Sequence, residues 1–325
     1  MKIGRLVFRV VPAAVLALGL AACSAPDTRP ESAGSALEEP VKVEHRFGTT
    51  EIGAVPQRVV TVDLQWTDVM LAMGVDPVGY TVDPLMPESG VPWQEMPAGA
   101  EPLQVADGLP IERIASLEPD LIVGAHSIPD RKTYRLLSEI APTVPTLDER
   151  QVTPWQDLVE LAGKVLDDPG TARDVVDSVD QEVAQAAEDL PGLEGRTFAL
   201  AQYVVGDGMY IVADGQDGSS VFFQQLEMEM YPPVKRRGEE TGEQRIAVST
   251  ERADLLRADF LAFLVNGGDE GDLADIPGFD RLPGTVAVLD YPSIVALNTP
   301  TPLSVPHALD TLRPHLEEAA GTPQT

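Results

Sequence analysis

Two carboxylates stand at matching places in two similar stretches of this chain. Glu112-Arg113 leads to Leu117, Asp120 and the apolar run Leu121-Ile122-Val123, and Glu251-Arg252 leads to Leu256, Asp259 and the apolar run 260–265. In each stretch Leu follows the Glu by five residues and Asp by eight. A duplicated element fits two similar lobes, and two exposed carboxylates at equivalent places fit one partner that grips both. Both acids also fall in the first turn of a short helix, where the helix dipole favours negative charge without any partner. Ser249 or Thr250 is placed to cap the second helix. In the first, Ile111, Ile114, Ala115 and Leu117 form the buried face and leave Glu112 outside.

Ligands of open α/β sheets lie beyond the carboxyl ends of strands, so the loops there hold the other residues of interest. Asp63, Gln65 and Trp66 follow one strand; Tyr80 and Asp83 follow the next, with Trp93 further on. His126, Ser127 and Arg131 follow a third, and Tyr203, Tyr210, Arg236 and Arg237 are their counterparts in the second half. Aromatic walls and guanidinium forks suit a bulky ligand bearing anionic oxygen. Trp66 fits a helix's core face equally well, His126 fits a loop cap, and 235–237 beside Gly238-Glu239-Glu240 fits a solvated turn. No Gly-x-Ser-x-Gly elbow, Gly-rich phosphate loop or His-Glu-x-x-His helix occurs. The histidines, His45, His126, His307 and His315, are too few and scattered for direct metal capture.

Lys2, Arg5 and Arg9 precede an uncharged run, 10–22, that ends in Leu20-Ala21-Ala22-Cys23. A basic start, a short apolar stretch and small residues before a cut site make an export signal, 1–22. The run is too short to span a bilayer. Leu-Ala-Ala-Cys resembles the lipobox of bacterial lipoproteins, which implies lipid on Cys23 and an extracytoplasmic chain anchored to the cell membrane. Cys23 is the single cysteine, so the folded part is expected to hold no disulfide. Residues 23–41, rich in Pro, Ser and acids, are expected to form a flexible tether. The net charge of −29, more negative still once the signal is removed, argues against nucleic acid as a partner.

The elements that must position these residues alternate between strand and helix. Strands are predicted at 58–62, 78–82 and 121–123, and helices at 66–73, 111–117 and 134–140. From 154 to 190 the pattern is helical throughout, and Asp168-Pro169 fits an N-cap followed by Pro at the first helical position. Strands return at 197–201 and 209–212 around a Gly206-Asp207-Gly208 turn, then at 260–265 and 285–289. Helices are expected at 219–230 and 305–316, with Pro314 bending or trimming the last. The fold class is α/β: an N-terminal lobe, 42–167, and a C-terminal lobe, 191–325, each a mainly parallel sheet flanked by helices, joined by a long helix, 168–190.

In this order the chain resembles the substrate-binding lipoproteins of iron–siderophore ABC importers over about residues 43–318. The resemblance rests on Phe47-Gly48-Thr49-Thr50, Pro56-Gln57-Arg58-Val59-Val60, Leu71-Ala72-Met73-Gly74-Val75 and Pro77-Val78-Gly79. It continues through Glu112-Arg113-Ile114 with Pro119-Asp120-Leu121-Ile122, and closes at Pro302-Leu303-Ser304-Val305-Pro306. It implies a monomer that holds a ferric siderophore between its lobes, with iron present only inside the chelate and no other cofactor. It also implies that Glu112 and Glu251 dock on arginines of a permease dimer. Haem or a corrinoid would suit an aromatic cleft too, whereas a secreted lipoprotein enzyme would lack a recognisable catalytic motif.

Overall fold

The computed structural model describes residues 34–86, 90–148, 150 and 152–321; the export signal and Cys23 lie outside them. The described chain opens with a hairpin, β1 (Ala36–His45) antiparallel to β2 (Gly48–Ala54). Part of the expected tether is therefore strand. Leu37, Val41, Val43 and His45 alternate inward, but Glu38, Glu39 and Pro40 interrupt the pattern, and a register shift between Ala36 and Val41 absorbs them.

The N-terminal lobe follows in chain order: β3 (Val59–Thr61), α1 (Leu64–Ala72), β4 (Gly79–Val82), β5 (Glu101–Gln104), α2 (Ile111–Ser116), β6 (Leu121–Val123), α3 (Arg131–Ser138) and β7 (Thr143–Val144). Its sheet has the order β5-β4-β3-β6-β7 and every pairing is parallel. Such a sheet is covered on both faces, so its strands are apolar throughout. Val59, Leu121 and Val123 face one core while Val60, Val62 and Ile122 face another. The helix α1 gives way to Gly74, whose φ of +73° suits a residue without a Cβ.

Two helices lead out of this lobe. α4 (Trp155–Val165) packs on α5 (Pro169–Asp189), the long connection, whose N-cap Asp168 accepts from Thr171 N at 3.0 Å. Its 21 residues span roughly 30 Å. Close packing depends on Gly163, where a Cβ would come within 2.5 Å of the Ala172 Cβ. One apolar cluster runs from α1 and α4 through α5 into the second lobe.

The C-terminal lobe comprises β8 (Thr197–Val204), β9 (Gly208–Val212), α6 (Gly218–Gln225), β10 (Glu229–Met230), α7 (Pro232–Thr241), β11 (Arg245–Val248), β12 (Phe260–Asn266), β13 (Thr285–Leu289), α8 (Tyr291–Asn298) and α9 (Ser304–Gly321). The expected helix over 219–230 stops at Gln225 because Glu227 turns left-handed, with φ +63°, and β10 then pairs beside the start of β8. α9 continues through Pro314 to Gly321, held by buried Leu312, Leu316 and Ala319. The sheet order is β11-β9-β8-β12-β13, with β9 alone reversed against its neighbours on that path.

The two sheets share one plan. In each, the first strand is central, an edge strand (β5 or β11) leads into a short helical turn, and the next strand (β6 or β12) returns beside the first. The repeated Asp serves this plan. Asp120 accepts from the backbone N–H groups of Gln57 and Arg58, both at 2.8 Å, just before β3. Asp259 accepts from the N–H and hydroxyl of Thr197, at 2.8 and 2.7 Å, where β8 begins. Each carboxylate thus pins the start of its lobe's central strand.

Candidate functional site

The lobes are joined by a buried polar seam along α1. Gln65 donates from Nε2 to Thr153 O at 3.0 Å and, across the seam, to Pro300 O at 3.2 Å. One turn later Asp68, fully buried, accepts from Trp93 Nε1 at 2.8 Å, from Gln94 Nε2, and from the Thr301 hydroxyl of the C-terminal lobe. Burial pushes the Asp68 carboxyl up to about 6, although its three donors pull the other way. The Trp93 ring packs on His307 of α9 with centroids 5.1 Å apart. Further out, Tyr291 donates from its hydroxyl to Asp83 at 2.8 Å. Burial first, and then that bond, push the phenol up to about 12.

On the C-terminal side, α8 covers the sheet face that carries Leu200, Gln202, Tyr210, Val212 and Arg245, and Asn298 lies over a void of about 20 Å³ among them. Arg245 donates from Nη2 to the largely buried Asp217 at 3.1 Å. Among the described residues Gln65 Oε1, Trp66 Nε1, Thr153 Oγ1, Ser220 Oγ, Arg245 Nε and Asn298 Oδ1 are buried without a protein partner. Gln65 touches Pro300, and a Cβ on Gly218 would sit 2.7 Å from the Pro300 ring, while Arg245 and Asn298 border the small void. The segment 213–216, just before Asp217, walls a depression of about 1050 Å³ with Gln224, Met230, Lys235, Arg236 and Gln244. That is the size of a large ligand pocket.

The sequence-predicted residues distribute unevenly over this geometry. Trp66 is a correction: at 1% exposed it is part of the core under α1 and offers no ring to a ligand. Tyr203 is likewise buried, with its hydroxyl donating to Asp275 at 3.2 Å. Trp93 belongs to the seam. Tyr80 is half-buried on β4, and His126 is exposed beyond β6. Arg131 donates to Phe47 O at 2.7 Å and lies over the Phe47 ring, so it anchors the hairpin tip. Tyr210 reaches the face beneath α8 while its hydroxyl donates to Asp207 at 2.6 Å. Arg236 lines the large depression from α7, where a solvated turn was the alternative; Arg237 points to Glu240 at 3.6 Å instead. Arg245 and Asn298, which border the void under α8, were not singled out in the sequence, because nothing local distinguishes one Arg or Asn that only the packing of α8 brings together.

Glu112 and Glu251 are both exposed. Their Arg neighbours are engaged: Arg113 donates from Nη2 to Glu101 at 2.6 Å, and Arg252 donates to Asp254 at 2.8 and 3.0 Å. Ser249 caps the second turn by accepting from Glu251 N at 3.3 Å. Ala115, expected on the buried face, is exposed, and Ile114 carries the contact. Since Asp83 follows β4 and Tyr291 follows β13, those two strand ends meet across the seam. β5 and β11 are edge strands of their sheets, and one glutamate follows each of them, so each lobe carries one of the two acids.

Among the described residues no group of three or more His, Cys, Asp or Glu converges to hold a metal ion, and no helix is long and apolar enough to cross a membrane. The periplasmic binding protein family model matches residues 86–259, more than half of the chain, and the chain belongs to that family, a class of substrate-binding proteins. Over 204 residues it is 26% identical to a probable siderophore-binding lipoprotein, YfiY, of Bacillus subtilis, covering 61% of this chain and 60% of that one. Over 159 residues it is 30% identical to the Fe(3+) dicitrate-binding periplasmic protein FecB of Escherichia coli, covering 46% of this chain and 50% of that one. The matches thus span half to three-fifths of these relatives' lengths. A crystal structure of a periplasmic solute binding protein from Mycobacterium smegmatis superposes with a TM-score of 0.72 at 27% identity, covering 88% of this chain and 100% of that one.

Proposed function

We propose that this chain captures a ferric siderophore at the junction of its lobes and delivers it to the permease dimer of an ABC importer. The observation that carries the reading is that, in a member of this family, strand ends of the two lobes meet through Asp83 and Tyr291 beside a welded seam, α1 on Pro300 and Thr301. Iron enters only inside its chelate, and the chain is a monomeric carrier without enzymatic activity. Lipid on Cys23 tethers it to the outer side of the cell membrane. Of the predicted residues, Tyr80, His126, Tyr210 and Arg236 are the ones we propose as ligand contacts, and we propose that Glu112 and Glu251 dock on the permease.

Trp93, part-buried in the seam, is the natural reporter. Titration of the purified mature domain with ferric siderophores is expected to change tryptophan fluorescence saturably, one chelate per chain. A response to haem or a corrinoid and to no ferric chelate overturns the siderophore reading.

A further inference from the structure

We infer that Asp68 is a positioning residue for the ligand cleft: its ionised carboxylate holds the C-terminal lobe on the N-terminal one, and chelate affinity falls when it takes up a proton. The inference rests on the reading above and adds a regulation to it. Asp68 joins three separate pieces of chain. Trp93 Nε1 donates to its Oδ2 at 2.8 Å, the Thr301 hydroxyl donates to the same oxygen, and Gln94 Nε2 donates to Oδ1. Trp93 and Gln94 precede β5 in the N-terminal lobe, whereas Thr301 lies in the turn between α8 and α9. Thr301 is itself fixed, because its hydroxyl accepts from Ser304 N at 2.8 Å and Ser304 Oγ donates to Ala296 O of α8 at 3.1 Å. α8 begins at Tyr291, whose hydroxyl meets Asp83 beyond β4. Asp68 thus holds one end of a helix whose other end stands where the strand ends of the two lobes meet.

Three donors converging on one carboxyl suit its ionised, acceptor-only form. A proton is accommodated on Oδ1, where the Gln94 amide can turn over to present its oxygen. The bond from Thr301 across the seam then ends on a neutral carbonyl oxygen, and a charge-assisted hydrogen bond is roughly twice as strong as a neutral one. Burial pushes the carboxyl up to about 6, so this weakening comes close to neutral pH. The neighbouring charges leave the role to Asp68. Asp63, at the start of α1, acts on it in the same direction as burial. In α4, which packs on α1, Asp157, Glu160 and Lys164 are exposed, as is Glu95 beside Gln94. His307 of α9 lies against the Trp93 ring; burial holds its pKa below the ordinary 6.5, against the pull of Asp290 and Asp310.

The test is the affinity of the purified mature domain for ferric citrate and for a ferric trihydroxamate between about pH 5 and 7.5, in wild type and Asp68→Asn. The Asn amide accepts from Trp93 and Thr301 as the protonated acid does, and it cannot ionise. Comparing both proteins with the same chelate at each pH cancels the chelate's own titration. Wild type is expected to bind about 3- to 10-fold more tightly than Asp68→Asn at the upper pH, and the gap to close as the pH falls. A titration of His307 persists in Asp68→Asn, so closure of the gap belongs to Asp68. Thr301→Ser keeps the hydroxyl and the wild-type profile, whereas Thr301→Val loses the pH dependence. A ratio that is the same at every pH makes Asp68 merely structural and overturns the proposal. In the ligand-free protein, the NMR resonances of the Trp93 indole and the Ser304 amide, one on each lobe, should shift with a common midpoint near pH 6 and stay still in Asp68→Asn. If neither chelate binds, the carrier reading falls and this titration alone decides the joint. Movement of Trp93 without Ser304 overturns it.

Discussion

At the residue scale, the repeated frame divides its labour between structure and surface. Asp120 and Asp259 face inward and pin the central strands, whereas Glu112 and Glu251 face outward with their carboxylates unused among the described residues. Asp259→Ala strips the Thr197 N–H of its acceptor and is expected to cost ~1–3 kcal/mol in urea unfolding, with Asp120→Ala similar. Glu112→Ala and Glu251→Ala, by contrast, should leave stability within about 0.5 kcal/mol. Asp68 makes a different prediction. Its carboxyl titrates near 6 in the fold, above its ordinary value of 3.8, because it is buried. The folded state thus holds this proton more tightly than the unfolded chain, and the associated stability, present below about pH 4, is lost as pH rises through 6. Comparing unfolding free energies of wild type and Asp68→Asn between pH 4 and 7 checks this. The Asn variant should lack that component, on the order of 3 kcal/mol; an identical slope in the two proteins contradicts it.

At the scale of elements, long periodic segments declared themselves and short ones did not. α5 was readable from Asp168-Pro169 and the spacing of Ala172, Val179, Val183 and Ala186. β3, β6 and β12 were readable as apolar runs. β5, β10 and β11 are two to four residues long and include exposed or half-exposed positions, so only their pairing partners define them. α7 hid behind its charge: seven of its ten residues, PPVKRRGEET, are exposed and its core contact is Val234 with Gly238. Of the site, the sequence pointed to strand-end loops and so reached Gln65 and Asp83, but the seam joins residues as far apart as Asp68 and Thr301. The join between α4 and α5 is testable. Gly163→Leu would drive a side chain into Ala172 and the start of α5, and is expected to cost ~1–3 kcal/mol by thermal or chemical unfolding.

At the scale of the whole molecule, the lobes are duplicated in plan and welded along one side. A continuous cluster of buried side chains and the α5 connection bind them there, and Gln65 and Asp68 reach across from α1. A domain so joined is expected to move little on binding, so the distance between spin labels placed one on each lobe should shift by only a few ångströms when a ferric chelate is added. The two outward glutamates then lie one on each lobe, each after an edge strand. On the proposed reading, a dimeric permease would engage both acids, one on each lobe. Radioiron uptake by cells whose only carrier is wild type or Glu112→Arg/Glu251→Arg, with chelate affinity measured on the same purified domains, is the most direct trial. Uptake should collapse in the double variant while affinity stays within about twofold of wild type, since surface charge reversal away from the ligand changes little else. Undiminished uptake, or a loss of uptake matched by an equal loss of affinity, would contradict delivery through these two carboxylates.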